Sequence, residues 1–162
     1  METKNYITRK GFEKLKSEAE FLFYKDRPKV VDVVSWAASN GDRSENADYQ
    51  YGKKRLREID SRLRFLRDRM DIAEIVDPEK IKSQVIVFGA TVTIQSDLIK
   101  SGDSITKTYQ IVGEDEIDTE GNKISWRSPI SKALLGKKAG DEVLVKKPKG
   151  DEYITILKIE FI

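Results

Sequence analysis

The sequence contains no cysteine and no histidine among its 162 residues. These absences exclude a disulfide framework, a thiol nucleophile, a zinc finger and a serine–histidine catalytic triad. Any bound metal must therefore be held by oxygen atoms, which favours Mg²⁺, Mn²⁺ or Ca²⁺. No apolar run approaches the roughly 18 residues of a membrane span, and no signal-peptide core follows Met1. We therefore predict a soluble, cytoplasmic protein with no membrane partner.

Charge is abundant but balanced. Charged residues make up 36% of the chain, above the roughly 25% of an average globular protein, and the net charge is only +2. The near-cancellation argues against a disordered polyelectrolyte, and the density favours a long helical element surrounded by water. The 38% of hydrophobic residues is enough for one ordinary domain or two small ones.

The chain changes character near Pro78. From Thr8 to Val76 the pattern predicts helix, whereas from Val85 onward strand-like runs alternate with turn residues. A proline disfavours continuation of a helix, so the boundary is placed there. The fold class is predicted as α+β, with a helical domain over residues 1–78 and a small β domain over residues 79–162.

The second predicted helix carries a seam of apolar residues with alternating steps of three and four, which is typical of a coiled coil. The seam consists of Leu56, Ile59, Leu63, Leu66, Met70 and Ala73, and extends back through Gly52 and Tyr49. The first predicted helix shows a matching set formed by Phe12, Leu15, Ala19 and Leu22, which resumes near Val30, Val33 or Val34, and Ala37. The two seams predict a long antiparallel hairpin.

One register aligns the two seams. It pairs Leu15 with Met70, Ala19 with Leu66, Leu22 with Leu63, Val33 with Gly52, and Trp36 with Tyr49. The chain would then fold back near residues 42–43, with Thr8 capping the first helix and Asp42 or Ser44 capping the second. Arms of about 30 residues give a hairpin roughly 45 Å long. Pro28 predicts a kink or break in the first arm.

Three acids lie at the predicted hairpin tip: Asp42, Glu45 and Asp48. Two carboxylates three residues apart at a helix start can share a hard cation or orient a water molecule. Acids at that position also serve as ordinary caps that complement the helix dipole. Two exposed carboxylates would bind Mg²⁺ poorly by themselves, so a metal role requires further ligands from another molecule.

The second helix is strongly basic. Between residues 53 and 69 it carries a net charge of +5, from Lys53, Lys54, Arg55, Arg57, Arg62, Arg64, Arg67 and Arg69 against Glu58, Asp60 and Asp68. One interpretation is salt bridging to Glu13, Glu18, Glu20 and Asp32 of the first helix. The other is sequence-independent contact with nucleic-acid phosphates, for which arginine is well suited.

The segment from Trp36 to Tyr51 and the basic segment from Lys53 to Asp60 resemble the bacterial transcript-cleavage factors of the GreA/GreB family. Ser128-Pro129, the run Ala133–Lys137 and the pair Gly140-Asp141 are also similar to that family. The resemblance runs from end to end. The run Trp36-Ala37-Ala38 and the arginine-rich second helix are more similar to the GreB branch than to the GreA branch.

The resemblance implies an elongation factor whose finger enters the secondary channel of bacterial RNA polymerase. On that basis Asp42 and Glu45 would help to hold a second Mg²⁺, shared with the polymerase, and position the water that cleaves backtracked RNA. Ser44 and Asn46 would support the tip. The nascent RNA 3′ segment would contact the basic helix through Lys53, Lys54, Arg55, Arg57 and Arg62. The protein would not be an autonomous enzyme.

For the second half of the chain, the resemblance implies a small FKBP-like antiparallel β domain with a short helix, which docks on the polymerase. Its docking loop would contain Ser128 and Pro129. An alternative interpretation is that Ser128 is an ordinary N-cap and Pro129 occupies the first turn of a short helix, with no role in docking. Because the hairpin pairs with itself, a monomer is expected.

Two alternatives remain open at the level of sequence. One is a regulator that occupies the polymerase channel without stimulating cleavage, although such a protein has no need for both Asp42 and Glu45. The other is a prolyl isomerase, suggested by the FKBP-like analogy. The few aromatic residues of the second half, most of them needed for a core, argue against it.

Overall fold

A computed structural model describes residues 4–40, 46–97, 104–148 and 150–162. Within the first half of the chain, helical segments account for most residues. They are α1 (Arg9–Phe21), a π-helical turn (Leu22–Asp26), α2 (Arg27–Ser39) and α3 (Ala47–Asp71). The contacts between α2 and α3, together with the buried seam described below, confirm the predicted helical hairpin.

The seam of α3 is as predicted. Gly52, Ile59 and Leu66 are buried, and the intervening seam positions Leu56, Leu63 and Met70 are partly buried. On the first arm, Leu15 of α1 and Leu22, the first residue of the π-helical turn, are buried. Period and apolar content therefore determine which faces of the helices meet.

Beyond the π-helical turn the predicted register is wrong by one residue. Val34, not Val33, packs against Gly52, and Ala37 is buried while Trp36 is 61% exposed. A π turn closes with a bond from residue i+5 to residue i, here from the Arg27 N–H to the Leu22 carbonyl, and so inserts one extra residue. Pro28 lies in the first turn of α2, where a missing N–H is best tolerated. In place of the predicted kink or break, the first arm has a π-helical turn before Pro28 and remains helical on both sides of it.

Two short strands frame the hairpin in the sequence. β1 (Asn5–Thr8) and β2 (Ala73–Val76) form a two-stranded sheet, although the sequence predicted helix up to Val76. Thr8 caps α1 as predicted, since its Oγ1 accepts a bond of 3.2 Å from the Gly11 N–H. The Glu116 carboxylate accepts bonds from both the main-chain N–H and the hydroxyl of Thr8, which ties the start of α1 to the second half of the chain.

The second half is built on a five-stranded sheet. Its strands are β3 (Thr91–Asp97), β4 (Ser104–Val112), β5 (Lys123–Ser125), β6 (Glu142–Val145) and β7 (Glu152–Glu160), in the order β5-β4-β3-β7-β6. The β4–β5 pair is parallel and the other pairs are antiparallel, so the sheet is mixed. The prediction of an antiparallel sheet is therefore correct for every pair except β4–β5. The short helix α4 (Pro129–Leu134) packs Leu134 into the apolar core. The predicted α+β class is confirmed.

The chain divides into two compact units, one formed by Met1–Gly11 and Glu74–Ile162 and the other by Phe12–Ala73. In this division β1 and residues 74–76 of β2 belong to the unit that contains the five-stranded sheet. The sequence-based ranges 1–78 and 79–162 stay a prediction. Among the described residues, no helix combines the length and apolar character that a membrane span requires.

Candidate functional site

Asn46 joins the two helices at the end of the hairpin. Its side-chain oxygen accepts a bond of 3.1 Å from the Tyr49 N–H and so caps α3. Its side-chain nitrogen donates a bond of 2.7 Å to the carbonyl of Ala37 in the last turn of α2. The expectation that Asp42 or Ser44 would cap the second helix is therefore wrong, because α3 begins only at Ala47.

The acids Asp42 and Glu45, together with Ser44, lie outside the described residues. They belong to the five-residue segment that connects Asn40 to Asn46. The third predicted acid, Asp48, lies in the first turn of α3 and is exposed. A carboxylate there complements the positive end of the helix dipole. Within the described ranges, no three acidic side chains lie close enough together to hold a metal ion.

One flank of the basic helix is engaged in ion pairs with the first arm. Arg55 contacts the Asp26 carboxylate at 2.7 Å, and Arg62 contacts Glu18 at 2.6 Å with a second bond at 3.0 Å. The hydrogen bond from Arg62 lowers the pKa of Glu18, and the hydrogen bond to Asp26 raises the pKa of Arg55. The salt-bridge interpretation therefore holds for this flank. Asp26, which follows Leu22 by four residues on the seam, was not among the predicted acid partners. Of those that were, Glu18 forms the pair, while Glu13, Glu20 and Asp32 make no ion pair with another described residue.

The opposite flank of α3 is different. It carries a row of four cations with the helical spacing of one face, Lys53, Arg57, Arg64 and Arg67. None of the four makes an ion pair or hydrogen bond with another described residue. Asp60 lies within this row, but Arg27 of the first arm pairs with it at 2.9 Å. Lys54 is exposed and has no described partner either. A continuous positive face is thus left available to an anionic ligand.

The predicted docking residues Ser128 and Pro129 begin helix α4. The Ser128 hydroxyl accepts a bond of 3.2 Å from the Ser131 N–H, which confirms the N-cap, and Pro129 is exposed in the first turn. The preceding Arg127 lies 4.8 Å from the centre of the Trp126 ring and pairs with Glu114 at 3.3 Å. This exposed cation is therefore held against the domain by a ring and a carboxylate.

Two family models match the chain across both halves. One, described as "Transcription elongation factor, N-terminal", matches residues 5–75, and the other, described as "Transcription elongation factor, GreA/GreB, C-term", matches residues 81–161. The chain belongs to the GreA/GreB family of transcription elongation factors. The resemblance inferred from the tip and the basic helix is thereby confirmed.

Individual members of the GreA/GreB family are similar over nearly the whole chain. Transcription elongation factor GreB of Neisseria meningitidis serogroup A is 51% identical over 162 residues, with 99% of this chain and 96% of the relative covered. GreB of Haemophilus influenzae is 47% identical over 156 residues, covering 96% and 94%. GreB of Yersinia pestis is 44% identical over 161 residues, covering 99% and 91%.

Solved structures of GreA/GreB relatives also match. The crystal structure of GreA factor homolog 1 (Gfh1) of Thermus thermophilus aligns at 25% identity with a TM-score of 0.44, covering 98% of this chain and 99% of that chain. A GreA/GreB elongation factor of Nitrosomonas europaea aligns at 23% identity with a TM-score of 0.40, covering 99% and 100%.

Proposed function

We propose that this protein activates cleavage of backtracked RNA by bacterial RNA polymerase. Its helical hairpin would enter the secondary channel of the polymerase and present the connecting segment, with Asp42 and Glu45, to the polymerase active centre. The protein would act as a donor of catalytic groups and not as an enzyme on its own. Membership of the elongation-factor family across both halves of the chain, together with the bond from Asn46 to Ala37 that joins the start of α3 to the end of α2, supports this proposal.

The double contact of Asn46 gives this proposal its main structural support. One side chain caps α3 and binds the last turn of α2, so it fixes both ends of the segment that contains the two acids. A link between the two flanking helix ends would favour precise presentation of catalytic groups, since small displacements of a positioned group cost large factors in rate. We assign Asn46, with Ser44, to support of the tip.

The donor chemistry at the tip fits a hard cation. Asp42 and Glu45 supply carboxylate oxygens, the ligands that Mg²⁺ prefers. Because two carboxylates leave most positions of an octahedral shell unfilled, we place the ion between this protein and the polymerase, with the remaining ligands from the polymerase and from water. When bound, Mg²⁺ would activate a water molecule and offset charge on the phosphodiester. Asp42 and Glu45 would orient that water for in-line attack.

The extruded RNA 3′ segment would follow the basic helix. Three of the predicted RNA contacts make no ion pair with another described residue, namely Lys53, Lys54 and Arg57. Arg55 and Arg62 would each have to share or leave a carboxylate on the first arm before binding a phosphate. We therefore expect the first three residues to contribute more to RNA contact than the last two.

Attachment to the polymerase would come from the sheet-containing unit through the loop that carries Ser128 and Pro129. Pro129 is exposed and Ser128 fixes the loop by capping α4. Replacement of Pro129 by Asp keeps a residue compatible with a helix start and introduces a charge at the proposed contact. It should weaken polymerase binding without unfolding the domain.

The test uses polymerase stalled in a backtracked position with labelled nascent RNA. Addition of the protein and Mg²⁺ should release short 3′ fragments at a rate well above that of the polymerase alone. The protein and the same RNA without polymerase should give no cleavage. Binding to the polymerase with no increase in cleavage would instead favour the regulator that only occupies the channel.

A further inference from the structure

A pocket of about 610 Å³ opens in the unit that contains the five-stranded sheet. Its floor is formed by strands β3, β4 and β5. One wall is the start of α1, from Thr8 to Lys10, and the other is the turn that follows β2, from Asp77 to Glu79. All of these residues belong to the same compact unit. A concave site of this volume is large enough to hold a small molecule.

The floor of the pocket is a row of polar side chains on adjacent strands. Thr91 of β3 lies opposite Gln110 of β4, and Gln110 lies beside Lys123 of β5. Neighbouring strands are about 4.8 Å apart, and successive side chains of a strand point to opposite faces. Because Val92 and Ile111 face the apolar core, the three polar side chains lie on the other face of the sheet. Hydroxyl, amide and ammonium groups are thus lined up side by side.

The three floor side chains have unused hydrogen-bonding groups. Thr91, Gln110 and Lys123 are partly buried, and none of their side chains makes a hydrogen bond or ion pair with another described residue. Polar side chains that are shielded from water usually have a protein partner. A surface that served only for packing would carry apolar residues at such positions. Convergent polar groups in a concave site are typical of a small-molecule binding site.

The charges of the walls favour an anionic ligand. Arg9 donates two bonds to the Asp77 carboxylate, at 2.7 and 3.2 Å, so this pair joins the two walls and adds little net charge. Lys10 and Lys123 make no ion pair with another described residue, and neither does Glu79. The pocket therefore offers two available cations and one available carboxylate. A phosphate group carries a charge of about −1.5 to −2 at neutral pH, which two ammonium groups would offset.

The remaining groups of the pocket suit hydroxyl groups better than a ring. Glu79 can accept a hydrogen bond from a hydroxyl, and Gln110 and Thr91 can donate or accept one. Among the described residues that line the pocket, none is aromatic, so a nucleobase would have no ring on which to stack. The lining therefore matches a ligand that carries several hydroxyl groups beside its anionic group.

We propose that this pocket binds a small phosphorylated sugar. Lys10 and Lys123 hold the phosphate. Glu79, Gln110 and Thr91 contact the sugar hydroxyl groups. This binding activity is separate from RNA cleavage, because none of the five residues belongs to the tip, the basic helix or the loop proposed to dock on the polymerase.

The first test is a calorimetric titration of the full-length protein with ribose 5-phosphate at low salt. Lys10→Gln and Lys123→Gln should each weaken binding about tenfold, the loss expected for one hydrogen bond to a charged group. Lys123→Arg keeps the charge on the partly buried strand position and should retain most of the affinity. The matched control is Lys132→Gln, which removes an exposed cation of α4 that does not line the pocket. It should bind like wild type.

Inorganic phosphate and free ribose separate the two halves of the site. Ribose 5-phosphate should bind more tightly than either compound, and Glu79→Gln should reduce its advantage over inorganic phosphate. Equal affinity for ribose 5-phosphate and inorganic phosphate would overturn the assignment of the hydroxyl contacts. The whole proposal is overturned if wild type does not bind ribose 5-phosphate in the millimolar range, or if Lys132→Gln weakens binding as much as Lys10→Gln and Lys123→Gln do.

Nuclear magnetic resonance locates the bound ligand. On titration with ribose 5-phosphate, the main-chain amide signals of Gln110 and Lys123 should shift in a saturable way, because both residues line the floor. The signals of α3 should stay in place. Shifts confined to α3 would mean that the basic helix binds the phosphate, and they would refute the pocket as the site.

Discussion

Substitutions of Asn46 can separate the two hydrogen bonds by which it joins α2 to α3. The side chain makes two separable bonds, one from the Tyr49 N–H to its oxygen and one from its nitrogen to the Ala37 carbonyl. Asn46→Ser keeps an oxygen that can cap α3 but is too short to reach Ala37. Asn46→Asp keeps the cap and suits the helix dipole, but it places a carboxylate oxygen against a carbonyl oxygen. Asn46→Ala removes both bonds.

The expected losses follow from those bonds. A helix cap contributes about 1 kcal/mol, and a neutral hydrogen bond contributes a further ~1 kcal/mol. We therefore expect the free energy of unfolding to fall by about 2 kcal/mol in Asn46→Ala and about 1 kcal/mol in Asn46→Ser. The loss in Asn46→Asp should lie between these values. The Ala37 carbonyl also accepts a bond of 3.2 Å from the Asn40 N–H, so it is not left without a partner.

The assay is urea unfolding followed by circular dichroism at 222 nm, combined with the cleavage rate of a backtracked complex. If Asn46 supports the tip, Asn46→Ser should reduce cleavage by more than its small loss of stability explains, while polymerase binding is retained. Equal stability of all four proteins would refute the assignment of Asn46 as the link between the helices. Full cleavage by Asn46→Ala would refute its role in holding the tip.

Three further predictions concern the scaffold. Gly52→Ala would place a methyl group 2.5 Å from Val34 Cγ2. The resulting overpacking should cost about 1–3 kcal/mol and outweigh the ~1 kcal/mol gained in helix propensity. In a double-mutant cycle, the additional substitution Val34→Ala should recover the lost stability. Because Arg62 lowers the pKa of Glu18, the ion pair should stabilise the fold at pH values above the ordinary Glu pKa. This stabilisation should be lost as the pH falls through the lowered pKa of Glu18. Glu18→Gln should therefore reduce the dependence of the free energy of unfolding on pH in the acidic range. Gly113→Ala would bring a carbon into a main-chain oxygen of β1, so it should lower the thermal unfolding midpoint markedly, and an unchanged midpoint would contradict the described packing.

Much of the hairpin follows from local sequence. The steps of three and four in α3 select the buried face without reference to the partner, so Gly52, Ile59 and Leu66 were correctly placed in the seam. The register of the second half of the first arm was not predictable in the same way. A single inserted residue in the π-helical turn changes the face of every residue after it, which is why Trp36 is exposed and Ala37 is buried.

Other features depend on pairing between distant segments. Strands β1 and β2 are four residues each, and in the part of the chain that the structure describes each pairs only with the other. Neither is long enough to show an alternation that competes with the helical pattern beside it. The density of Lys and Arg in the sequence predicted that α3 is basic, but not which of its cations form ion pairs with the first arm. That division depends on Glu18 and Asp26 of the first arm, which bind Arg62 and Arg55 and leave the opposite flank open.

We have proposed that Asp42 and Glu45 of the connecting segment act in RNA cleavage. The most direct test of this proposal compares Mg²⁺-dependent cleavage of backtracked RNA by the polymerase with wild type, Asp42→Asn, Glu45→Gln and the control Asp48→Asn, which neutralises an exposed acid in the first turn of α3. We expect Asp42→Asn and Glu45→Gln to bind the polymerase normally but to lose stimulated cleavage, and Asp48→Asn to retain most of it. Normal cleavage by Asp42→Asn or Glu45→Gln would show that the substituted carboxylate has no catalytic role.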